Sequence, residues 1–308
     1  MQIRTDLAME SSGGATGVPG VSTYTRQLNG LEETVVTVAS PEAAKALDKP
    51  CGKYVTLSRG DLIHASSGER LLLSRAVAAA LREMLPKDGD LMVVGLGNRH
   101  ITADALGSRV IDDLLITRHM RQIIQAPLQG RMRGVCAVAP GVLGVTGMET
   151  AEMVHGIVER VRPAAVIAID ALAARASSRI CSTVQITDTG IRPGSGVGNH
   201  RVGLTRETLG VPVIAVGVPM VVYAAVIARD ALTLLLQDIG LDEQEHMDAV
   251  EQLIGKAARE GLGDMVVTPR EVDEMVGRVA RILADGLNMA LQPQLTEEEI
   301  FQLSHDRM

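Results

Sequence analysis

The chain has almost no aromatic side chains. Its 308 residues include no Trp, one Phe and three Tyr, so Val, Ile, Leu, Ala and Met must build the hydrophobic core. A hydrophobic fraction of 46% is sufficient for a sizeable core in one large domain or two modest ones. Branched aliphatic residues favour buried strands, and the composition therefore indicates an α/β protein.

Cysteine and long apolar runs are also scarce. Cys51, Cys136 and Cys181 are odd in number and include no C-x-x-C pair, which indicates neither a disulfide framework nor a zinc ribbon. The longest apolar run, 211–227, contains two prolines, and no signal peptide or membrane span is predicted. We therefore expect a reducing, cytoplasmic location and no membrane partner.

Basic charge is not concentrated anywhere in the chain. The formal net charge is −7, and no cluster of Lys and Arg is available to neutralise phosphates. Direct binding of nucleic acid is therefore not expected. A small basic protein is electrostatically easier to accept as a substrate than an acidic one.

Strand and helix patterns alternate from residue 69 onward. A helix is predicted from Glu69 to about Leu85, followed by a strand at 91–94, and further strands are predicted at 34–38, 134–138, 165–169, 183–186 and 213–216. This alternation predicts an α/β fold with a mostly parallel sheet flanked by helices. Residues 11–30 are predicted to be loosely packed.

The C-terminal part of the chain is predicted to be helical. Residues 242–260 and 270–290 carry apolar positions at helical spacing. Thr268 is predicted to be the N-cap of the second helix, with Pro269 at its first position. No strand is predicted after residue 240.

Two aspartates follow the ends of predicted central strands. Asp104 follows the strand at 91–94, and Asp170 directly follows the apolar strand that ends at Ile169. The carboxyl ends of parallel strands meet at one edge of a sheet. Two carboxyl groups that converge there share a proton, so one can activate water. The alternative interpretation is that each aspartate caps a helix.

The glycine-rich loops match no nucleotide-binding motif. Gly95-Leu96-Gly97-Asn98 lacks the third glycine of a dinucleotide fingerprint, and 194–198 lacks the Lys-Ser/Thr pair of a P-loop. The backbone amides of Gly97 and Asn98 are instead candidates for holding an oxyanion or substrate. The alternative is that these glycines only form tight turns. No cofactor is predicted.

Candidates for metal binding and nucleophilic catalysis are weaker. His100 precedes Asp104 by four residues and is the histidine most suited to join a carboxylate metal site. No His stands at a diagnostic spacing from Ser195 or Cys181, so a nucleophilic mechanism is not favoured.

Several segments together resemble the germination proteases of endospore-forming bacteria. The resemblance covers Arg4 to Glu10, Lys53 to Leu57, Val94 to Gly107, Leu115 to His119, Pro140 to Thr150, Ile167 to Pro219 and Met265 to Asn288. It implies an endopeptidase that begins the degradation of small acid-soluble spore proteins during germination. It also implies a fold similar to hydrogenase-maturation proteases, a homotetramer and a location in the spore core.

The resemblance assigns roles to particular residues. Asp104 and Asp170 match the two aspartates regarded as essential in the family. TDLAME at 5–10 resembles the cleaved sequence, which implies a zymogen that cuts its own Asp6-Leu7 bond, leaving a short propeptide at 1–6 and one peptidase domain at 7–308. Without the family, Thr5 or Asp6 would be interpreted as a helix cap with Glu10 in the first turns.

Two positions depart from the family pattern. Residues 217–224 correspond to a family motif of the form GVPTVVDA, but this chain has Met220 in place of the Thr and Tyr223 in place of the Asp. Two alternatives therefore accompany the protease interpretation: a non-catalytic relative that keeps the fold, and a metal-dependent maturation-type protease. The resemblance implies an atypical aspartic peptidase, and we expect no required metal.

Overall fold

The structure is a computed structural model that describes residues 5–12, 18–60, 62, 64–122, 128, 130–192, 201–240, 243–263 and 265–305. No helix among these residues combines the length and hydropathy of a membrane-crossing segment. One nine-stranded sheet organises the described part of the chain.

The strands are β1 (Val21–Leu28), β2 (Leu31–Val38), β3 (Gly52–Ser58), β4 (Leu91–Gly95), β5 (Val135–Val138), β6 (Ala165–Ala174), β7 (Thr183–Thr187), β8 (Val213–Tyr223) and β9 (Val266–Val267). The α-helices are α1 (Ala8–Ser12), α2 (Pro41–Leu47), α3 (Ser67–Met84), α4 (Leu106–Asp112), α5 (Leu143–Thr146), α6 (Thr150–Val161), α7 (Arg206–Leu209), α8 (Ala224–Asp238), α9 (Glu243–Ala257), α10 (Val272–Leu291) and α11 (Glu297–His305). Short 3₁₀ segments lie at Thr102–Asp104, Arg118–Gln122 and Ser177–Arg179, and a π-helical turn lies at Ala258–Leu262.

The predicted α/β class with a helical C-terminal part is confirmed, but the sheet is mixed instead of mostly parallel. The strand order is β1-β2-β3-β7-β8-β6-β4-β5, with β9 paired to β8. Only the β8-β6-β4-β5 portion is parallel. β1, β2, β3 and β7 add antiparallel pairs, and the two-residue turn Asn29-Gly30 joins β1 directly to β2.

Helices cover the two faces of the sheet, because alternate residues of its strands point to opposite sides. Leu91 and Val93 of β4 pack with α3, α4 and α10, whereas Met92 and Val94 pack with α6 and α7. Helix α3 begins with a capping box in which Ser66 accepts from the Glu69 amide and the Glu69 carboxylate accepts from the Ser66 amide.

The structure corrects three local predictions. Residues 21–28 form β1, so 11–30 is not loosely packed throughout. A short strand, β9, does follow residue 240. Thr268 does not cap α10, which begins at Val272, because its hydroxyl instead donates to the Met220 carbonyl oxygen at 3.1 Å.

Strand β6 also extends further than its apolar run predicts. It continues through Ala171–Ala174, which pairs with β8 residues 218–222 across a register shift after Leu172. Strand β4 ends at Gly95, opposite Ile169. The last residues of β6 therefore extend beyond the end of β4, and this extension carries much of the candidate site.

Gly107 permits a close crossing of α4 over the ends of β4 and β6. A Cβ on Gly107 would lie 2.5 Å from the Leu96 nitrogen and 2.6 Å from the Ile169 carbonyl oxygen. Gly95 faces the same crossing, where its Cβ would lie 2.2 Å from the Gly107 carbonyl oxygen. Backbone atoms pack directly against backbone atoms here, so a change of side-chain rotamer could not make room for a Cβ on Gly107.

We expect Gly107→Ala to lower the free energy of unfolding by about 1–3 kcal/mol, because overpacking must move α4 or the strand ends. The matched control is Gly156→Ala on α6, where a Cβ meets nothing within 4 Å. This control should raise stability by about 0.4–1 kcal/mol. Urea denaturation of both variants checks the prediction, and equal stability of the two would contradict it.

Candidate active site

Asp104 is placed by the turn that leaves β4. It lies in the 3₁₀ segment Thr102–Asp104, and its Oδ2 accepts the Asn98 backbone N–H at 2.7 Å. Burial raises the pKa of Asp104, and the Asn98 hydrogen bond partly offsets this by lowering it. Asp104 is not a simple helix cap, since α4 shows no side-chain cap hydrogen bond.

Gly97 provides the surface on which Asp104 packs. Its φ is +95°, and a Cβ there would lie 1.9 Å from the Asp104 carbonyl oxygen. Gly97 and Asn98 together therefore position Asp104, Gly97 by allowing close packing and Asn98 by donating a hydrogen bond. This differs from the oxyanion role predicted for the Asn98 amide, because its N–H already points at the Asp104 carboxylate.

Asp170 is buried inside β6 and caps no helix, because the strand continues past it. Its side chain accepts the Ala171 N–H at 2.9 Å, and the residue is 5% exposed. Burial raises the pKa of Asp170 well above its usual range, and the negative charge of Asp104 raises it further. The structure thus brings the two carboxyl groups into one electrostatic site, where Asp170 favours its neutral form.

The N-terminal segment at 5–10 lies along the extended end of β6. The Asp6 N–H donates to the Ala173 carbonyl oxygen at 3.0 Å, and the Ala173 N–H donates to Asp6 Oδ2 at 2.9 Å. The charge of Asp6 also contributes to raising the pKa of Asp170. Asp6 is therefore bound to the strand that carries Asp170 and does not cap α1.

Gln185 of β7 contacts the chain on both sides of the Asp6-Leu7 bond. Its Nε2 donates to the Asp6 carbonyl oxygen at 3.0 Å, and its Oε1 accepts the Ala8 N–H at 2.7 Å. Gln185 is 6% exposed. The Asp6-Leu7 peptide bond, which the resemblance predicts to be the self-cleavage site, is thereby held by one buried side chain.

Leu7 and Ala8 are completely buried at this site. Leu7 packs in an apolar pocket formed by Leu172, Ala174, Val222, Tyr223 and Val226. Ala8 packs in a second apolar cluster with residues of β2, α2 and β3. The site therefore fits an aliphatic residue followed by a small one.

Glu10 is bound by a separate set of donors. Its Oε2 accepts the Arg175 N–H at 2.7 Å, its Oε1 lies 3.2 Å from Arg179 Nε, and the Thr5 hydroxyl also donates to Oε2. Nearby, the Lys49 ammonium donates to the Thr5 carbonyl oxygen at 2.8 Å, and burial lowers its pKa. An acidic residue three positions after Leu7 is thus held by charge and hydrogen bonds.

The structure gives no support to the weaker candidates among the residues that it describes. His100 is exposed, and no three His, Cys, Asp or Glu residues in the described part of the chain group as metal ligands. Burial raises the pKa of Cys181 to about 12, which disfavours a thiolate. The glycine loop at 194–198 and Ser195 lie outside the described residues.

The two departures from the family pattern occupy different environments. Met220 is fully buried in the main core, with its Sδ 3.6 Å from Cys181 Sγ. Tyr223 belongs to the pocket around Leu7. Sequence reasoning missed Gln185 and Arg179, although a Gln between Val184 and Ile186 in the predicted strand at 183–186 was a usable signal.

Comparison with known proteins gives consistent matches. The family profile described as germination protease matches residues 3–263. The germination protease of Clostridium perfringens strain SM101 is 40% identical over 326 positions, covering 97% of this chain and 98% of the relative. That of Caldanaerobacter subterraneus subsp. tengcongensis is 40% identical over 324 positions, covering 98% of each chain. That of Geobacillus sp. strain WCH70 is 36% identical over 362 positions, covering 98% of this chain and 97% of the relative.

Among solved structures, the [NiFe] hydrogenase maturation protease HycI from Thermococcus kodakarensis KOD1 is similar to part of the chain. It is 16% identical, covers 68% of this chain and 98% of its own, and superposes with a TM-score of 0.32. A likeness at this level carries no argument about the site.

We expect the stability of Asp170→Asn relative to the unmodified chain to increase with pH. The pKa of Asp170 is raised in the folded state, so protonated Asp170 contributes its full stabilisation of the fold below the unfolded-state pKa of about 3.9. This contribution is lost as the pH rises through the folded-state pKa. Asn mimics the neutral acid and has no such loss. Urea denaturation between pH 4 and 9, on chains of verified intact mass, measures the difference. The exposed Asp88→Asn is the control, and a pH-independent difference for Asp170→Asn would contradict the prediction.

Proposed function

The chain belongs to the germination protease family, and from that premise we propose that it is an endopeptidase that begins the degradation of small acid-soluble spore proteins. We further propose that it is made as a zymogen and cuts its own Asp6-Leu7 bond. The observation that carries this proposal is the position of the segment at 5–10, which lies bound beside Asp170 with its peptide bond held by Gln185.

The proposed chemistry is hydrolysis by the two aspartates. Asp104, which the Asn98 amide stabilises as a carboxylate, takes a proton from water, and the water oxygen bonds to the Asp6 carbonyl carbon. The carbonyl electron pair moves onto its oxygen. When the intermediate collapses, the carbon–nitrogen bond breaks and Asp170 gives its proton to the Leu7 nitrogen. The products are the Asp6 carboxylic acid and the Leu7 amine, and proton transfer from Asp104 to Asp170 restores the pair.

This assignment of acid and base follows from the environments of the two groups. Asp170 is more deeply buried, and its pKa is raised by both burial and the charge of Asp104. Burial also raises the pKa of Asp104, but the hydrogen bond from the Asn98 amide favours its charged form and opposes that rise. Two neighbouring carboxyl groups with such different surroundings favour one protonated and one ionised member.

Spore protein substrates would bind as the N-terminal segment does. An acidic residue, an aliphatic residue, Ala and an acidic residue two positions further would occupy the places of Asp6, Leu7, Ala8 and Glu10. The net charge of −7 suits a basic substrate. The proposal includes the homotetrameric state, the spore-core location and the independence from cofactors that the family resemblance implies.

The alternatives raised by the sequence are less well supported. Met220 and Tyr223 suggest a non-catalytic relative, but Met220 packs in the core and Tyr223 lines the Leu7 pocket. Neither replaces Asp104 or Asp170. A metal-dependent maturation-type protease has no specific observation in its favour.

We expect Asp104→Asn and Asp170→Asn each to slow self-processing by at least about 100-fold, since each removes one proton-transfer group. Incubation of the purified full chain, followed by mass spectrometry and N-terminal sequencing, measures the appearance of a chain that begins at Leu7. The control is Asp88→Asn, an exposed aspartate outside the site. Processing by both aspartate variants at the rate of the control would rule out the mechanism.

We expect Arg179→Ala to slow self-processing by about 10-fold or more, because removing one partner of an ion pair leaves the buried Glu10 carboxylate without its compensating charge. Glu10→Gln should have a similar effect. The double variant should lose little more than either single variant, because both remove the same contact. The control is Arg160→Ala on α6, which is exposed. Fully additive losses would show that Arg179 does not act through Glu10.

A further inference from the structure

We propose that Gln185 is a catalytic residue that donates a hydrogen bond to the scissile carbonyl oxygen as negative charge develops there. This inference rests on the proposed function, because it takes Asp6-Leu7 as the cleaved bond. In this role Gln185 takes the place of the Asn98 amide, the donor predicted from the sequence, because the Asn98 N–H donates to Asp104. The Gln185 side chain keeps all of its protons throughout the reaction.

The orientation of the Gln185 amide follows from its two partners. The Ala8 N–H can only donate, so it requires the side-chain oxygen, and the Asp6 carbonyl can only accept, so it requires the side-chain nitrogen. Reversing the amide would break both hydrogen bonds. The side chain therefore presents its donor to the scissile carbonyl oxygen and clamps the next amide at the same time.

The sheet register places Gln185 opposite Asp170. Both residues pair with Gly217 of the intervening β8, Gln185 from β7 and Asp170 from β6. Directly paired residues point to the same face, and two strand spacings place their Cα atoms roughly 10 Å apart. Gly217 has no side chain of its own, and the Leu172 side chain of β6 covers it, with an atom 2.5 Å from where a Cβ would lie. Gln185 and Asp170 therefore lie on the same face of the sheet, on the two strands that flank β8.

The burial of the site strengthens this hydrogen bond in the transition state. Gln185, Asp170 and Leu7 are each no more than 6% exposed, so little solvent screens the developing charge. A donor that is fixed before the reaction needs no reorganisation when the carbonyl oxygen becomes anionic. In the described part of the chain, both side-chain hydrogen bonds of Gln185 go to the N-terminal segment.

Gln185→Glu separates catalysis from binding. The introduced carboxylate keeps an oxygen that accepts the Ala8 N–H but, when ionised, lacks the donor to the Asp6 carbonyl. Self-processing is first order with the segment already bound, so its rate reports on the transition state. We expect the rate of the full chain to fall by about 10²–10³-fold, as for loss of an oxyanion donor. Protonation of the introduced carboxylate restores a donor, so the difference in self-processing rate between Gln185→Glu and the unmodified chain should become smaller as the pH falls.

Two further variants control for charge and position. Gln185→Met removes donor and acceptor without adding charge and should also process slowly at every pH. Thr183→Val changes a buried residue on the same face of β7 and should process normally. Docking is measured in the Asp104→Asn background, where the chain stays uncleaved, as hydrogen-exchange protection of the Ala8 amide. This protection should persist in Gln185→Glu.

The possible outcomes distinguish this inference from the proposed function. A rate for Gln185→Glu within threefold of the unmodified chain would overturn the donor role alone. If the rate is slow and the hydrogen-exchange protection of the Ala8 amide is lost to the same extent, Gln185 is only a positioning residue. That result would also overturn the donor role. If the unmodified chain does not cut itself or an added peptide with the sequence of residues 5–12, both the proposed function and this inference fail.

Discussion

The burial of the Asp170 carboxyl group is the constraint from which the other features of the site follow. A carboxyl group inside a central strand is stable only if it is neutral or compensated. Asp170 has one backbone hydrogen bond and the negative charge of Asp104 nearby, so its neutral form is favoured. The close packing at Gly107 holds the Asp104 turn beside the end of β6. Asp170 therefore holds a proton that the proposed hydrolysis would use.

Strand β6 serves two purposes because it extends beyond β4. Its first half is an ordinary buried parallel strand. Its last residues carry Asp170 and then bind Asp6 through backbone atoms of Ala173. Pairing of an extended peptide with a strand gives affinity through the main chain, while side-chain pockets give specificity. Leu7, Ala8 and Glu10 each have such a pocket or set of donors, so the proposed cleavage chemistry and the binding of this segment would share one strand.

Local patterns predict where β6 and β8 begin but not where they end. Residues 171–174 are Ala-Leu-Ala-Ala, which favour a helix by propensity, so a helix capped by Asp170 is a reasonable alternative from sequence alone. Pairing with β8 outweighs that propensity, and the strand continues. The predicted start of α10 is wrong for a related reason, since Thr268 bonds to the Met220 carbonyl oxygen on a neighbouring strand. Such contacts have no signature in the local sequence.

The α/β class, the choice of Asp104 and Asp170 as candidates and the substrate-like pattern of residues 5–10 can all be read from the amino-acid order, because they are properties of contiguous segments. The folded chain was needed to show that Asp104 and Asp170 share one electrostatic site and that Gln185 binds the Asp6 carbonyl across 179 positions of chain. It was also needed to show that Gln185 and Asp170 both pair with Gly217 from the two strands that flank β8. Strand order and register set these proximities, and both depend on long-range pairing that no local pattern encodes.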